Sequence, residues 1–284
     1  MQLSLTVFGK TDPGRVRETN EDVFVVADLT TAERVHWMES SAAIDSGERG
    51  VLVAVSDGMG GAEAGEVAST LTLRSLRVGM KDGAAAGTGA ALQSSVEGAN
   101  KSVWDFARAH GKEGMGATLT ALLVHEFYAY IGEIGDSRAY LLRDGRLVQL
   151  TRDQSLVQQL VDRGTIAPEQ AGDCDQRNVI LQAVGIGPEV AVAMSRVPLR
   201  RHDRFLLCSD GLSNMVSDAD MHAILKGATL DAVCSALVDT ANARGGEDNI
   251  TALVMDVDGE GLPVALPGDR IQVDTMNARG ATSP

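Results

Sequence analysis

The sequence predicts an α+β fold in which antiparallel sheets are flanked by helices. Strand patterns follow one another with short connections from Thr118 to Leu150, which is typical of an antiparallel meander. The longer helical patterns lie in two blocks, 62–110 and 217–244, that alternate with runs of strands. With 284 residues, 44% of them apolar and 23% charged, the chain is long enough to bury a sizeable core.

The first half of the chain predicts three strands and two helices. Apolar runs predict strands at Leu3–Phe8, Val23–Ala27 and Val51–Val55. The segment 29–49 is predicted to be a polar loop carrying an exposed Trp37, and its length indicates an insertion, a lid or a contact surface. Apolar residues at helical spacing then predict two helices, over 62–78 and 90–110.

The meander and the segment after it have different characters. Asp144-Gly145 is a strong hairpin signal between the last two predicted strands of the meander. Residues 151–187 contain short helical patterns at 155–163 and 177–184 but no strand pattern. We therefore expect 154–187 to form a mobile flap, close to the acidic residues described below.

The last third of the chain predicts strands, two helices and a tail. Strand patterns lie within 194–208 and at 250–254, and helices are predicted over 217–226 and 229–244. These elements complete a single predicted domain over 1–258. Residues 259–284 contain glycine and proline without periodicity, and we expect them to form a disordered tail.

Charge and cysteine usage exclude several classes of protein. The 25 basic and 39 acidic residues give a formal charge of −14, which disfavours nucleic acid or an anionic membrane as a partner. Three cysteines without paired spacing do not suggest a disulfide framework. The sequence shows neither a signal-peptide pattern nor an apolar run that could cross a bilayer, so we expect a cytoplasmic protein.

Acidic residues recur at the ends of the predicted strands. Three of these strands present an aspartate at a terminus: Val51–Val55 precedes Ser56-Asp57-Gly58, Phe205–Cys208 precedes Ser209-Asp210-Gly211, and Asp248 comes just before Ile250–Val254. The set comprises Glu21, Asp22, Asp57, Asp136, Asp210 and Asp248. A single such residue is more simply a solvated turn, but several together indicate a cation site, because like charges repel when they are desolvated. No histidine or cysteine accompanies them at ligand spacing, so Mn²⁺ or Mg²⁺ is favoured over zinc.

Six ordered motifs give the sequence a specific resemblance. They are Arg17-x-x-Asn20-Glu21-Asp22, Ser56-Asp57-Gly58-Met59-Gly60-Gly61, Gly114-Met115-Gly116-Ala117-Thr118, Gly135-Asp136-Ser137-Arg138, Ser209-Asp210-Gly211 and Gly246-Glu247-Asp248-Asn249-Ile250-Thr251. Together they resemble metal-dependent protein phosphatases of type 2C, and the Asp-Gly-Met-Gly-Gly form is similar to the bacterial branch. The resemblance implies a four-layer αββα sandwich with two Mn²⁺ or Mg²⁺ ions at one end.

The resemblance also implies roles for the metal-binding residues. Asp57 would bridge both ions and the Gly58 carbonyl would bind one of them. Asp210 and Asp248 would complete the ligand set of the other ion. Glu21 would hold the first ion directly or through water.

Three further residues receive roles from the same resemblance. Asp22 would orient the water beside Glu21, and Asp136 would help to hold a weaker third ion. Arg17 would bind the substrate phosphate, since its planar guanidinium group makes bidentate contacts. Two cations and Arg17 would together allow a water to attack a dianionic phosphomonoester without a covalent intermediate.

Two positions depart from the family pattern. Met59 stands where many eukaryotic members have a histidine that can donate a proton, and the five histidines of the chain lie outside all six motifs. Asn214 stands where relatives often have an acidic ligand for the third ion. We therefore expect leaving-group protonation to come from water and the third site to be weak.

The leading hypothesis is a protein serine/threonine phosphatase that opposes a bacterial Ser/Thr kinase. Its partners would be phosphorylated proteins, including the kinase and its substrates, and the chain is expected to be a monomer. One alternative is a catalytically silent scaffold that binds phosphoproteins, although the complete set of predicted ligands argues against it. Another is a partner-switching regulator of the same fold, which would normally bring a sensor domain that the sequence does not show.

Overall fold

Two antiparallel sheets stacked face to face form the centre of this computed structural model, which describes residues 3–31, 34–35, 40–82, 88–174, 176 and 178–276. Helices cover the outer face of each sheet, so the order of layers is helix, sheet, sheet, helix. The predicted α+β class and the four-layer αββα sandwich are confirmed.

The first sheet has six strands in the described part of the chain. Its order is β10-β9-β12-β13-β1-β4, and every neighbouring pair is antiparallel. The strands are β1 (Ser4–Asp12), β4 (Ala42–Asp45), β9 (Arg138–Arg143), β10 (Arg146–Gln149), β12 (Asp203–Cys208) and β13 (Ile250–Asp258).

The second sheet has eight strands among the described residues. Its main order is β14-β11-β8-β7-β5-β2-β3, and β6 pairs separately with the end of β5. The strands are β2 (Asp22–Asp28), β3 (Arg34–Val35), β5 (Val51–Met59), β6 (Gly116–Ala117), β7 (Leu119–His125), β8 (Tyr128–Ile134), β11 (Ala193–Pro198) and β14 (Asp274–Thr275).

The two long helices pack on the second sheet, and the last three helices contact strands of the first. The helices are α1 (Ala62–Asp82), α2 (Thr88–Ala109), α3 (Leu156–Asp162), α4 (Asp210–Ser213), α5 (Asp218–Ile224) and α6 (Leu230–Ala243), and a 3₁₀ helix spans Pro168–Asp173. No helix in the described ranges combines the length and the apolar character that a membrane span requires.

Alternation along the strands produces two hydrophobic cores. Val53 and Val55 of β5 face the first sheet, whereas Leu52 and Ala54 face α1 and α2. Successive strand side chains point to opposite faces, so one strand serves both cores. This double burial explains why β5 reads as a continuous apolar run rather than as an alternating one.

The segment between β2 and β5 differs from the predicted polar loop. It contains β3, which pairs with β2, and β4, which pairs with β1 of the other sheet. Thus the segment crosses from one sheet to the other. These strands are two and four residues long, too short for a periodic signal, and Trp37 lies outside the described residues.

Two further expectations need correction. The helical pattern at 177–184 does not form a helix in its described part, where Ile180 bridges to Ser155 and Val184 bridges to Ala117. The tail prediction is wrong for 259–276, because β14 pairs with β11 and the Met276 amide donates to the Met194 carbonyl. Residues 277–284 lie outside the described residues. In both cases pairing with a distant strand decides a conformation that local sequence does not indicate.

The register brings the acidic strand ends to one end of the sandwich. Asp12 at the end of β1 lies opposite Ile250 at the start of β13, and Cys208 at the end of β12 lies opposite Arg138 at the start of β9. In the second sheet Asp22 lies opposite Asp57. The motifs that adjoin these termini are therefore brought together by strand pairing.

A buried ion pair marks the opposite end of the first sheet and gives a stability prediction. Arg143 donates two hydrogen bonds of 2.6 Å to Asp203 and one of 2.7 Å to the Pro198 carbonyl. The Arg143→Ala variant should lose about 3–5 kcal/mol in the free energy of unfolding, because it leaves Asp203 buried without its partner. Urea denaturation measures this. Arg201→Ala, which breaks a more exposed pair with Asp258, should change stability little, and equal losses would contradict the prediction.

Candidate metal centre

Asp57 and Asp22 form the middle of the acidic end. They face each other directly across the antiparallel β2–β5 pair, so their side chains share one face of the sheet. Asp57 is fixed on its other side by Thr118, whose Oγ1 accepts a hydrogen bond of 3.0 Å from the Asp57 amide. The Thr118 amide in turn donates to the Asp57 carbonyl at 2.8 Å. Strand pairing and Thr118 therefore fix the position of the Asp57 backbone.

Two hydroxyl groups hold Asp22. The side chain is 4% exposed, and its Oδ2 accepts from Ser209 at 2.6 Å and from Thr251 at 2.7 Å. Its Oδ1 is buried without a hydrogen-bond partner. Burial raises the pKa of Asp22 to about 7, and the two hydroxyls only partly oppose this shift.

Glu21 is positioned through its backbone by Asn249. The Glu21 amide donates to Asn249 Oδ1 at 2.8 Å, and the Asn249 amide group donates to the Pro13 and Thr19 carbonyls at 3.0 and 2.8 Å. Burial raises the pKa of the Glu21 carboxyl, and the charge of Arg17 opposes the shift. One asparagine therefore ties the Glu21 loop to the start of β13.

Glycines at 58 and 65 allow the start of α1 to approach this loop. A side chain at Gly65 would collide with the Glu21 carboxylate, and one at Gly58 would collide with the Gly65 carbonyl. The Gly58 amide also donates to the Glu21 carbonyl at 3.2 Å. This close approach brings the backbone of Gly58 beside Glu21 and Asp57.

Asp210 and Asp248 complete the centre from the first sheet. Asp210 follows β12, and its Oδ2 accepts from Asn214 at 3.1 Å, whereas its Oδ1 is buried without a hydrogen-bond partner. Burial and the neighbouring Asp248 raise the pKa of Asp210 to about 6. Asp248 Oδ1 accepts from the Asn249 amide at 2.9 Å, so backbone and amide groups orient both carboxylates.

Arg17 lies at the rim of the centre and contacts a predicted metal ligand. Its Nη2 donates to Asp248 Oδ2 at 2.8 Å, across 231 residues of sequence. The Arg17 side chain is 54% exposed and the Asp248 side chain 33%. The guanidinium is therefore beside the acidic cluster and open to solvent.

Asp136 occupies the side of the centre that faces the predicted flap. It is buried, and burial together with Asp210 raises its pKa to about 8. Asp136, Asp210 and Asn214 line a cavity of about 210 Å³. Ser155, Val157, Gln158, Ala171 and Gly172 of the 154–187 segment line the same cavity. The segment thus adjoins Asp136, and its action as a flap stays a prediction.

Both ends of the 154–187 segment are anchored to the sandwich. At the first end, Gln154 exchanges hydrogen bonds of 2.8 and 3.0 Å with Gly135. At the second, the Gly185 amide donates to Asn100 Oδ1 at 2.7 Å and Asn100 Nδ2 donates to the Gly187 carbonyl at 3.0 Å. Motion of this segment would therefore be confined to the residues between these two attachments.

Taken together, the carboxylates destabilise one another. The pKa of Asp57 is raised well above its usual value, first by burial and then by the charges of Asp22, Asp210, Asp248 and Asp136. Within the described ranges no group of three or more Asp, Glu, His or Cys side chains is arranged so that it could hold a metal ion as it stands. The buried, partnerless Oδ1 atoms of Asp22 and Asp210 and the all-oxygen donor set nevertheless fit hard divalent cations such as Mn²⁺ or Mg²⁺.

Comparison with known proteins agrees with this geometry. The family model described as protein phosphatase 2C matches residues 40–253. The serine/threonine phosphatase Stp of Listeria innocua is 36% identical over 253 residues, which cover 87% of this chain and 94% of the relative. The chain belongs to the protein phosphatase 2C family.

Solved structures of 2C phosphatases share the architecture. The crystal structure of the serine/threonine phosphatase PstP of Mycobacterium tuberculosis has a TM-score of 0.77 at 36% identity, and the match covers 90% of this chain and all of that one. The catalytic domain of PstP in complex with two manganese ions has a TM-score of 0.75 at 36% identity, with the same coverage. A metal-binding relative thus has the same fold as this chain.

Sequence reasoning missed the uncharged residues that hold this 2C centre together. Ser209, Thr251, Asn249 and Thr118 lie inside the six motifs, but nothing in the sequence shows which acidic residue each contacts. Their hydrogen bonds span 61 to 229 residues of sequence. Ser209 and Asn249 directly flank an acidic motif residue, and this position is the signal that points to them, whereas Thr118 and Thr251 carry no such signal.

Histidines take no part in the described centre. His110 contacts the Phe106 carbonyl, His125 contacts Thr88, and His222 contacts the Gly145 carbonyl. His202 lies beside Asp258 at the far end of β13, and His36 lies outside the described residues. Met59 is on β5 beside the centre and carries no transferable proton. Proton transfer from a described histidine is therefore not part of this site.

The raised pKa of Asp22 predicts a pH dependence of the metal-free protein. Between its ordinary pKa of 3.8 and about 7, the folded state holds a proton that the unfolded state has released. Stability contributed by this proton is therefore present at low pH and is lost as the pH rises through about 7. In excess chelator, the free energy of unfolding of the wild type should fall between pH 5 and 8 by at least about 1 kcal/mol more than that of Asp22→Asn.

Urea denaturation at several pH values measures this slope. The control is Asp28→Asn, which removes the same charge at the other end of β2, opposite Val51. It should keep the wild-type slope. A slope that Asp22→Asn leaves unchanged would show that Asp22 does not hold the proton.

Proposed function

We propose that this chain acts as a metal-dependent protein serine/threonine phosphatase that hydrolyses phosphoserine and phosphothreonine with a water as nucleophile. The observation that carries the proposal is the acidic centre, in which buried carboxylate oxygens without partners lie beside the exposed guanidinium of Arg17. Membership of the 2C family and the names of the relatives support it.

The residues that would hold two Mn²⁺ or Mg²⁺ ions come from both sheets. Asp57 would be a ligand of both ions, and the Gly58 carbonyl and Glu21 would bind one of them. Asp22 would orient the water beside Glu21. Asp210 and Asp248 would bind the other ion. When bound, the two ions lower the pKa of a water and neutralise charge on the phosphoryl group.

The protein's own groups then position the reactants. Asp22 is held immobile by Ser209 and Thr251, so its free Oδ1 is fixed in direction and can accept a proton or a water hydrogen bond. Arg17, once separated from Asp248, would present two N–H groups to the phosphoryl oxygens. Because neither Met59 nor a described histidine can protonate the leaving group, water would supply that proton.

A third, weaker cation would sit in the cavity beside the 154–187 segment. Asp136 and Asp210 would be its charged ligands, and Asn214 would contribute at most an amide oxygen. Because an amide oxygen carries no formal charge, this ion would bind less tightly than the other two. The segment would then act as a flap whose position influences the phosphoprotein substrate.

The proposed partners follow from the same chemistry. They are phosphorylated proteins, including a Ser/Thr kinase that this phosphatase would oppose, and the names of the relatives support this class. The charge of −14 argues against nucleic acid and anionic membranes. We propose a monomeric, cytoplasmic enzyme.

A silent scaffold and a partner-switching regulator are the alternatives. The sequence has all six predicted acidic ligands, and the mutual influence of the Asp22, Asp57, Asp210, Asp248 and Asp136 charges supports a common site. A scaffold that only binds phosphoproteins would not require carboxylates that repel one another. Hydrolysis of a phosphopeptide by the purified chain would separate an enzyme from a scaffold.

Asp57→Asn provides that test. The substitution weakens both cation positions at once, so phosphopeptide turnover with Mn²⁺ should fall by at least roughly 100-fold while the fold is kept. Phosphate release measures turnover, and circular dichroism checks the fold. Asp28→Asn, at the far end of the same strand pair, is the matched control and should retain full activity. Wild-type turnover that persists in excess chelator would refute the metal-dependent mechanism.

Arg17 variants separate phosphate binding from metal binding. Arg17→Ala should reduce kcat/KM for a phosphopeptide by roughly 10–100-fold, because a charge-assisted contact is lost. Its Mn²⁺ affinity should stay equal or rise, since a cation that competes for Asp248 has been removed. Arg17→Lys should recover only part of the activity.

Isothermal titration calorimetry and steady-state kinetics measure the two effects. Arg15→Ala, two positions away and also exposed, is the control and should resemble the wild type. Parallel loss of Mn²⁺ affinity and kcat/KM in Arg17→Ala would assign Arg17 a structural role instead.

A further inference from the structure

A groove beside the metal centre runs along the outer edge of β2. It has a volume of about 580 Å³ and is bounded on one side by Val23, Phe24 and Val25, which directly follow Asp22. On the other side lie Leu73, Arg74 and Arg77 of α1. Because β2 starts at the metal centre, the groove begins within one residue of a predicted ligand and leads away from it.

Two arginines of this groove have no counter-ion in the described part of the chain. Neither Arg74 nor Arg77 has an ion pair or a hydrogen bond from its side chain among the described residues, whereas most other arginines near acidic groups are paired. Three positions apart on α1, they lie on one side of the helix. Two guanidinium groups without a partner among the described residues, on a chain of charge −14, form a local positive surface that favours an anionic partner.

The distance from the metal centre sets the geometry of that partner. Gly65 of α1 contacts Glu21, and Arg74 and Arg77 follow it along the same helix. A helical rise of 1.5 Å per residue places them about 14 and 18 Å further on. An extended peptide advances about 3.3 Å per residue, so these distances correspond to about four and five residues.

We propose that this groove, with Arg74 and Arg77, is an accessory subsite for an acidic segment of the phosphoprotein substrate, four to five residues from the phosphoresidue. The inference rests on the proposed phosphatase function. The occupant would be an extended chain with carboxylate or phosphate groups at that spacing. The apolar wall formed by Val23 and Val25 would contact its backbone and aliphatic groups, and the arginines would provide selectivity.

Matched phosphopeptides test the subsite. One series carries a phosphothreonine with Glu-Glu four and five residues before or after it, and the other has Gln-Gln at the same places. At low ionic strength the wild type should hydrolyse at least one Glu-Glu peptide with kcat/KM about three- to tenfold above its Gln-Gln partner. Moving Glu-Glu next to the phosphothreonine should remove the dependence on Arg74 and Arg77.

Variants of the groove give the decisive comparison. In Arg74→Gln/Arg77→Gln the preference for Glu-Glu should fall to about one, with hydrolysis of a small aryl phosphate unchanged. Arg74→Glu/Arg77→Glu should prefer a Lys-Lys peptide. The matched control is Arg108→Gln, which removes an exposed guanidinium from α2 that lies over Trp104 and outside the groove. It should keep the wild-type preference.

Several results would overturn the subsite. They are the absence of a preference in the wild type, a preference that survives in the double Gln variant, and a parallel loss of aryl phosphate hydrolysis. A change in sedimentation of the double variant without a change in preference would assign the groove to self-association instead. Absence of aryl phosphate hydrolysis by the wild type with Mn²⁺ would refute the proposed function itself, and the subsite with it.

Discussion

Electrostatic repulsion among carboxylates at one end of the sandwich is the constraint on which the rest of the structure depends. Asp22 and Asp57 are fixed opposite each other by strand pairing, and Asp210 and Asp248 approach from the other sheet. Burial raises the pKa of Asp22, Asp57 and Asp210, and the neighbouring carboxylates raise it further, so the metal-free centre tends to hold protons. Divalent cations relieve the same repulsion without protons. The geometry of the two sheets therefore gives the site an affinity for cations.

The groups that orient the carboxylates are almost all uncharged. Hydroxyls hold Asp22, and amide groups hold Glu21, Asp210 and Asp248. Lysine or arginine in these places would neutralise the carboxylates and compete with metal ions. Within the described part of the chain, Arg17 is the guanidinium that donates directly to one of the predicted ligands, and it lies at the exposed rim where a phosphate would arrive.

The sequence predicted the elements with long, regular patterns and the positions of the acidic residues. The buried run of β5 and the helix α2 needed only local periodicity, and each acidic residue was visible as a polar break after or before an apolar strand. The short strand β4 and the bridge at Ile180 could not be predicted, because pairing with distant strands creates them. The same applies to β14, which contradicts the expected tail.

Contacts within the centre show a similar limit. The ordered motifs placed Arg17 and Asp248 in one site, but their direct ion pair depends on the path of β1 and the loop before β2. Likewise, no sequence pattern assigns Ser209 and Thr251 to Asp22 rather than to Asp210. Roles of individual residues therefore required the register of both sheets.

Proton release during Mn²⁺ binding tests the central claim most directly. Calorimetric titrations at pH 6.5 in two buffers with different ionisation enthalpies measure how many protons leave as the metal binds. If the carboxylates hold protons because of burial and mutual repulsion, Mn²⁺ should bind with release of protons, and Asp22→Asn should release fewer. Binding of Mn²⁺ without proton release in the wild type, or the absence of binding, would contradict the account.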